Sequence, residues 1–435
     1  MANAIGVGLL GLGVVGAGVA RALIEKRDTI ANRVGHPVEL RRAVVRDLER
    51  SREIDAIVPI TTDPATVLDD PDIQVVVEVM GGEHPALEYI LRAIDAGKHV
   101  VTANKEVMAK HGPEILLRAA DRGVDVAYEA SVGGGIPVIG PFKLDLLAND
   151  ISQITAIING TTNYIITRMA RDGMEFGAAL REAQDQGFAE SDPRNDVEGI
   201  DAAYKLAILA SLAFHARVHP DDVYNEGITQ LSPSDFRYAN ELGYVIKLLA
   251  IGKLNGSGIE LRVHPAMVPA DTMLANVDGV FNAVQVDGDL VGRILFYGRG
   301  AGSGPTSSAV VADIIDIAQR AGAGAVGVPP RPYDTSRHPL PFADVRTRYY
   351  LRLISADQPG VIAAIATILS NHNISLSSVI QKEDVEPQNG GSSIRHAEIV
   401  FMTHEATESA MQQAITEIRG LSVIDTIGSV IRVEA

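Results

Sequence analysis

The chain has 435 residues, 46% hydrophobic and 21% charged, with no cysteine and a net charge of −17. That length exceeds one core and predicts two or three domains. The charge argues against nucleic acid and anionic membrane as partners, and the missing thiols exclude disulfides, cysteine nucleophiles and thiolate metal sites. Its apolar runs are too short to span a bilayer, and a strand begins at once without a basic leader, so a cytoplasmic protein is expected.

In chain order, the apolar run 5–10 leads into Gly11-Leu12-Gly13-Val14-Val15-Gly16, and a helical pattern continues to about Ile24. Strand, glycine turn and helix are the setting of a dinucleotide fingerprint. The first glycine permits the turn, the second lets the backbone approach a pyrophosphate, and the third lets helix pack on strand. Free N–H groups at the helix start would face the phosphates. An ordinary strand-to-helix turn is the competing reading. The second strand, 38–46, should end beside the adenosine ribose. There Arg46 suits a 2′-phosphate and Asp47 a free hydroxyl, a mixed signal read as NADP with NAD tolerated.

A third apolar strand, 73–80, is followed by Gly81-Gly82, then a helix over 85–96 and a strand over 98–102 that runs into Ala103-Asn104-Lys105-Glu106. Ligands of a doubly wound sheet sit off the carboxyl ends of its strands, which gathers Gly81, Thr102, Asn104 and Lys105 near the cofactor. Lys105 has the reach to touch a substrate, and is also what a surface lysine after a strand looks like. A helix over 113–122 and a strand over 124–128 follow. The stretch 129–137, EASVGGGIP, marks a domain boundary. Its glycines either turn carbonyls inward on a cation or substrate or form a flexible linker.

Beyond a strand at 151–158, Asn159-Gly160-Thr161-Thr162-Asn163 reads as a polar turn opening a helix, and a further helix covers 176–186. Glu190, Asp192, Asp196, Glu198 and Asp201 then crowd into a dozen residues. Asp196 is placed to cap a helix beginning near Val197. On that helix Asp201 and Lys205 are four apart and share a face. Such pairs usually decorate a surface. Here residues 206–214 are apolar on every side, which makes the helix a buried one. A lysine at its entrance, beside a carboxylate, suits acid–base work, and Glu190 can supply a second carboxylate for an ammonium group.

Residues 232–249 read as one helix, followed by strands at 259–263 and 279–285, a turn at Asp287-Gly288-Asp289 and a returning strand at 290–296. This is a mostly antiparallel α+β region. The glycine-rich run 298–306, with Gly302 at its centre, opens onto a helix over 307–320. It is either a second anion-binding helix start or core packing by small residues. Residues 328–342 carry five prolines and read as a linker. The pattern then restarts as strand 349–354, helix 361–371, strand 374–381, polar loop 384–393, strand 396–403, helix 405–418 and strand 422–433, a βαββαβ module. Its Asp357-Gln358-Pro359-Gly360 turn is suited to a small ligand.

Taken together, GLGVVG, VTANKE, YEASVGGGIP, NGTTNYI, ESDPRNDVEGIDAAYKL and YGRGAGSGPTSSAVVADI resemble homoserine dehydrogenase along essentially the whole chain, and the tail resembles an ACT domain. The resemblance implies a fold of three parts. They are a Rossmann-type doubly wound α/β domain (1–137), an α+β catalytic and dimerisation domain (138–327) and, past a linker (328–345), a ferredoxin-like ACT domain (346–435). It implies reversible hydride transfer between NAD(P) and the homoserine/aspartate 4-semialdehyde pair, toward threonine, methionine and isoleucine. Lys205 would donate or accept the proton, Asp201 would hold it, Glu190 and Asp196 would bind the substrate, and Lys105 would lie beside cofactor and substrate. A sodium ion would sit on backbone groups of Glu129, Val132, Gly134 and Ile136. A homodimer or homotetramer and threonine as effector are implied as well. Two other readings remain: a dehydrogenase for another amino-acid aldehyde, and an inactive cofactor-binding sensor. Glu190, Lys105, Asp201 and Lys205 occurring together argue against the sensor.

Overall fold

The computed structural model describes residues 4–49, 58–322, 332–383 and 396–434. Its first part alternates strand and helix: β1 (Ile5–Leu10), α1 (Val14–Glu25), α2 (Arg27–Val34), β2 (Val38–Val44), β3 (Ile60–Thr61), α3 (Ala65–Leu68), β4 (Val75–Glu78), α4 (Ala86–Asp95), β5 (His99–Thr102), α5 (Lys105–Arg122) and β6 (Val126–Ala127). Next come α6 (Ile139–Lys143), β7 (Ile151–Ile157), α7 (Gly160–Asp172), α8 (Phe176–Asp185), α9 (Arg194–Val197), α10 (Ile200–Ala213), β8 (Tyr224–Asn225) and α11 (Pro233–Glu241). Strands β9 (Tyr244–Asn255), β10 (Gly258–Pro269), β11 (Phe281–Gly288) and β12 (Gly292–Arg299) precede α12 (Ser303–Gly322). The last part holds β13 (His338–Pro339), β14 (Arg346–Ala356), α13 (Val361–Asn371), β15 (Leu376–Glu383), β16 (His396–Thr403), β17 (Ala406–Thr407), α14 (Glu408–Arg419) and β18 (Ile424–Val433).

These elements form two compact units. One comprises Met1–Gly160, Tyr204–Val223 and Phe281–His338, the other Thr161–Ala203, Tyr224–Val280 and Pro339–Ala435. In the first, a parallel sheet runs in the order β3-β2-β1-β4-β5-β6. The chain reverses direction across this sheet between β1 and β4, the place where doubly wound folds bind their ligands. Helices cover the sheet, so its strands are continuous apolar runs, with Val7, Leu9, Val75 and Val77 fully buried. A late segment completes this core: Val310, Ile314 and Ile317 of α12 pack with Val19 and Leu23 of α1. The same unit carries the antiparallel strands β7, β11 and β12.

In the second unit, β9 and β10 form a long antiparallel hairpin. The C-terminal module is an antiparallel sheet in the order β18-β14-β16-β15, with α13 and α14 packed against it around Leu351, Leu353, Ile365, Leu369, Met411 and Ile415. This is the βαββαβ arrangement expected from the sequence. Strand β18 also pairs in parallel with β10 through Ala266↔Arg432 and Met267↔Val433, so the module shares a sheet with the hairpin.

Several elements differ from the sequence reading. Residues 232–249 are not one helix: α11 stops at Glu241, Gly243 adopts φ +81, and Lys247 lies in β9. The apolar residues of this stretch fit either period, and pairing with β10 along its whole length decides for strand. Helix α5 begins at Lys105 rather than at 113, because Asn104 caps it by accepting the Val107 amide at 3.1 Å. Helix α12 likewise starts at Ser303 rather than 307, and the turn between β11 and β12 falls at 289–291. The polar loop 384–393 and residues 328–331 of the linker lie outside the described residues. No helix among the described residues is long and apolar enough to cross a membrane.

Candidate active site

The turn after β1 has the close approaches that a dinucleotide loop requires. Gly11 stands at φ +106, and a Cβ on Gly16 would come within 2.2 Å of the Gly11 carbonyl oxygen, so only glycine lets α1 press this tightly on the strand. Gly13 is different: nothing lies within 4 Å of where its Cβ would be. It is the N-cap of α1, with no side chain capping the helix, and Val14 beyond it is 72% exposed. An open helix start with free amides fits a pyrophosphate. The glycine-rich run near Gly302 comes to this place too, since Ser303 Oγ donates to the Val14 carbonyl at 3.0 Å and Ser307 Oγ to that of Val15 at 3.1 Å. At the end of β2, Arg46 is exposed, while the Asp47 carboxylate accepts the amide of Glu49 at 2.8 Å.

Off β4 and β5, a buried network holds the next loop. Glu78, fully buried, accepts the Thr102 hydroxyl at 2.6 Å and the Met80 amide at 2.8 Å, and burial pushes its carboxyl above the usual range. Thr102 Oγ1 accepts the Asn104 amide at 3.0 Å, and Asn104 Nδ2 donates to the Gly82 carbonyl at 2.7 Å. Thr102 and Asn104 are thus tied to the Gly81-Gly82 turn. Sequence reading missed Glu78, whose signal was a lone carboxylate inside the run IQVVVEVM. Lys105, half-buried, occupies the first position of α5. Lys205 projects from the buried helix α10, and its Nζ donates to the Ile158 carbonyl at the end of β7 at 2.8 Å.

The glycine-rich boundary is ordered by Glu129, whose carboxylate accepts the amides of Val138, Ile139 and Gly140 at 2.6–2.8 Å. Its own amide donates to Asp313 of α12 at 2.9 Å, and burial pushes the Asp313 carboxyl up to about 7. Val132, Gly134 and Ile136 are buried. With the Glu129 carboxylate engaged by three amides, the oxygens left for a hard cation are backbone carbonyls, a donor set that suits sodium.

The substrate carboxylates named from the sequence belong to the second unit. Glu190 is exposed on the loop after α8, where its carbonyl accepts Gln184 Nε2 at 3.0 Å. Thr161 Oγ1 anchors that loop by donating to the Phe188 carbonyl at 2.7 Å. Asp196 does not stand directly before the long helix. It sits inside the short α9, and α10 begins only at Ile200, after Gly199 at φ +83. The turn before α9 is held instead by Asp192, which accepts the Arg194 amide and guanidinium and so has its carboxyl lowered to about 2. Asp201, 3% exposed, lies in the first turn of α10.

Three family models match the chain: "Homoserine dehydrogenase, NAD binding domain" over residues 11–129, "Homoserine dehydrogenase" over 137–315 and "ACT domain" over 349–423. The homoserine dehydrogenase of Pseudomonas aeruginosa is 44% identical, across 99% of this chain and 98% of its own. That of Bacillus subtilis is 39% identical, across 99% of both. The crystal structure of a homoserine dehydrogenase from Thiobacillus denitrificans superposes with a TM-score of 0.92 at 44% identity, covering 99% of this chain and 98% of that one. A hyperthermophilic archaeal homoserine dehydrogenase in complex with NADPH matches 72% of this chain and 97% of its own, with a TM-score of 0.62 at 25% identity. Likeness over the full length, on a fold with an open dinucleotide loop, places this chain in the homoserine dehydrogenase family, as an NAD(P)-dependent oxidoreductase carrying an ACT domain.

Proposed function

We propose that this protein reversibly reduces L-aspartate 4-semialdehyde to L-homoserine, with NADP preferred to NAD, on the route to threonine, methionine and isoleucine. The observation that carries the reading is the seat of Lys205, a cation at the entrance of an apolar helix and directed by the Ile158 carbonyl. The bound nicotinamide supplies or removes the hydride. Reduction leaves negative charge on the aldehyde oxygen, and Lys205 delivers the proton there while its charge stabilises the developing oxyanion. In the oxidative direction it takes the hydroxyl proton. Asp201, one turn earlier on the same helix, orients it. Lys105 lies beside cofactor and substrate, and Glu190 and Asp196 bind the amino-acid end.

NADP preference is supported by exposed Arg46 at the end of β2, while the neighbouring carboxylate of Asp47 is turned to its own loop. The sodium ion is assigned to the backbone carbonyls of Glu129, Val132, Gly134 and Ile136, where it stiffens the boundary segment and takes no part in proton transfer. Strand β12 supports a homodimer or homotetramer: it lies at a sheet end, with Tyr297 on it and Leu290 and Val291 before it exposed. Threonine is assigned as inhibitor to a cavity of about 360 Å³ on the C-terminal module, lined by Asp357, Gln358, Gly360, Ile362 and Gln381. A biosynthetic enzyme drawing on NADPH belongs in the cytoplasm. The test is a panel of L-homoserine, L-serine and L-threonine offered with NADP. Rapid oxidation of homoserine alone supports the reading, and preference for another alcohol replaces it with a related dehydrogenase.

A further inference from the structure

Residues 224–228 form a strap between β10 and the carboxylate-bearing segment of the second unit. On one side, Tyr224 and Asn225 pair with Arg262 and Val263, and the Glu226 amide donates to the Val263 carbonyl at 2.8 Å. On the other, the Ile228 amide donates to the Val197 carbonyl at 2.9 Å, and Asn225 Nδ2 to the Glu198 carbonyl at 3.0 Å. Gly227 runs so close that a Cβ on it would stand 2.1 Å from the Val197 oxygen. Those carbonyls belong to the end of α9 and the link to α10, between Asp196 and Asp201. The strap takes up acceptors that a helix end leaves open, and so sets where α10 begins.

What secures the strap comes from the C-terminal module. The Glu226 carboxylate accepts the Tyr224 hydroxyl at 2.9 Å and an Nη1–H of Arg432 on β18. The Arg432 side chain is 2% exposed, and its Nε and Nη2 donate to both oxygens of Glu408 at 3.1 and 2.6 Å. Tyr349 completes Glu408 with a hydroxyl at 2.9 Å. Tyr224 and Phe342 stack 3.5 Å apart beside the guanidinium. Within the module Glu408 already balances the buried charge of Arg432. The hydrogen bond to Glu226, with the Tyr224 ring beside it, carries Arg432 out of the module to the strap.

We propose that Arg432 is a positioning residue for the substrate, holding the segment between Asp196 and Asp201 through Glu226 and the 224–228 strap. The inference rests on the assignment of that segment to the substrate. Replacing Arg432 by alanine would leave Glu408 buried without its cation and endanger the fold, so the test uses Glu226→Ala and Glu226→Gln in the full chain. Hydrogen–deuterium exchange of residues 194–201 is expected to quicken about tenfold in Glu226→Ala, the value of one charge-assisted hydrogen bond, with residues 5–25 unchanged. The KM for homoserine should rise by a similar factor while the KM for NADP stays, and Glu226→Gln, which keeps an acceptor for both donors, should restore most of both. Unchanged exchange at 194–201 overturns the proposal, as does unchanged homoserine KM or a parallel rise in the NADP KM. A wild-type protein inactive on homoserine overturns the substrate reading instead, and the exchange measurement alone then decides whether Arg432 holds the strap.

Discussion

The ammonium of Lys205 donates to the carbonyl oxygen of Ile158 across 2.8 Å, so the side chain leaving α10 is directed by the end of β7. A backbone acceptor held by a strand end sets the direction of the lysine side chain. That is what a proton donor needs, since its geometry must be set before the substrate oxygen gains charge. Lys205→Ala should lower kcat by about 100- to 10,000-fold while NADPH still binds, read by steady-state rates and by fluorescence titration of the cofactor. A variant with full turnover would remove Lys205 from the proton-transfer step.

The glycine loop separates folding from binding. Gly13→Ala meets no atom within 4 Å and has an ordinary φ of −80, so its thermal midpoint should match the wild type. Its methyl group nevertheless stands where the pyrophosphate must approach, and NADPH affinity should fall by about tenfold or more. Gly16→Ala, driven against the Gly11 carbonyl, should lower the thermal midpoint as well. Equal thermal midpoints for the two alanine variants would contradict this account of the turn.

Cofactor choice is assigned to Arg46. Arg46→Ala should weaken NADPH by about 10- to 100-fold, the worth of a charge-assisted contact to phosphate, and leave NADH nearly untouched. The ratio of kcat/KM for the two cofactors reads this directly, and an unchanged ratio would move the selectivity elsewhere.

His264 predicts how the second unit responds to acid. It is fully buried, and burial first, then the guanidinium groups of Arg432 and Arg262, hold it neutral well below the usual histidine range. The unfolded chain takes up that proton near pH 6.5, and the folded chain does not. Stability from this group is therefore complete above about pH 6.5 and is lost progressively as pH falls below it. Calorimetric midpoints recorded from about pH 7.5 to about pH 5 should fall less steeply in His264→Asn than in the wild type. Identical slopes would show that another group governs the acid response.

Threonine sensitivity is better tested by a point change than by removing the tail. Strand β18 pairs with β10, and Arg262 donates to Glu434 at 2.8 Å, so cutting at 346 would strip partners from buried charge. Asp357→Ala, at the mouth of the module's cavity, should abolish inhibition and leave the uninhibited rate intact. Full inhibition of that variant would place the effector elsewhere.

Much of the candidate site can be named from the sequence because its signals are local. A glycine turn between an apolar strand and a helix, and an acid–lysine pair entering an all-apolar helix, need no distant partner to be recognised. What escaped depends on long-range pairing. Tyr244 to Leu249 fits a helix as well as a strand until β10 is laid beside it. Asp196 reads as a cap for a helix that begins only at Ile200, after Gly199 and where the 224–228 strap takes up the Val197 and Glu198 carbonyls. Arg432 and Glu226 are 206 residues apart, and an arginine in a closing strand gives no hint of the carboxylate it will meet.

The most direct test of the central claim is the fall in NADPH absorbance when aspartate 4-semialdehyde is added to the purified protein, with the product identified. Rapid NADPH consumption is expected, matched mole for mole by L-homoserine. A folded protein that binds NADPH yet consumes none with this aldehyde would contradict it.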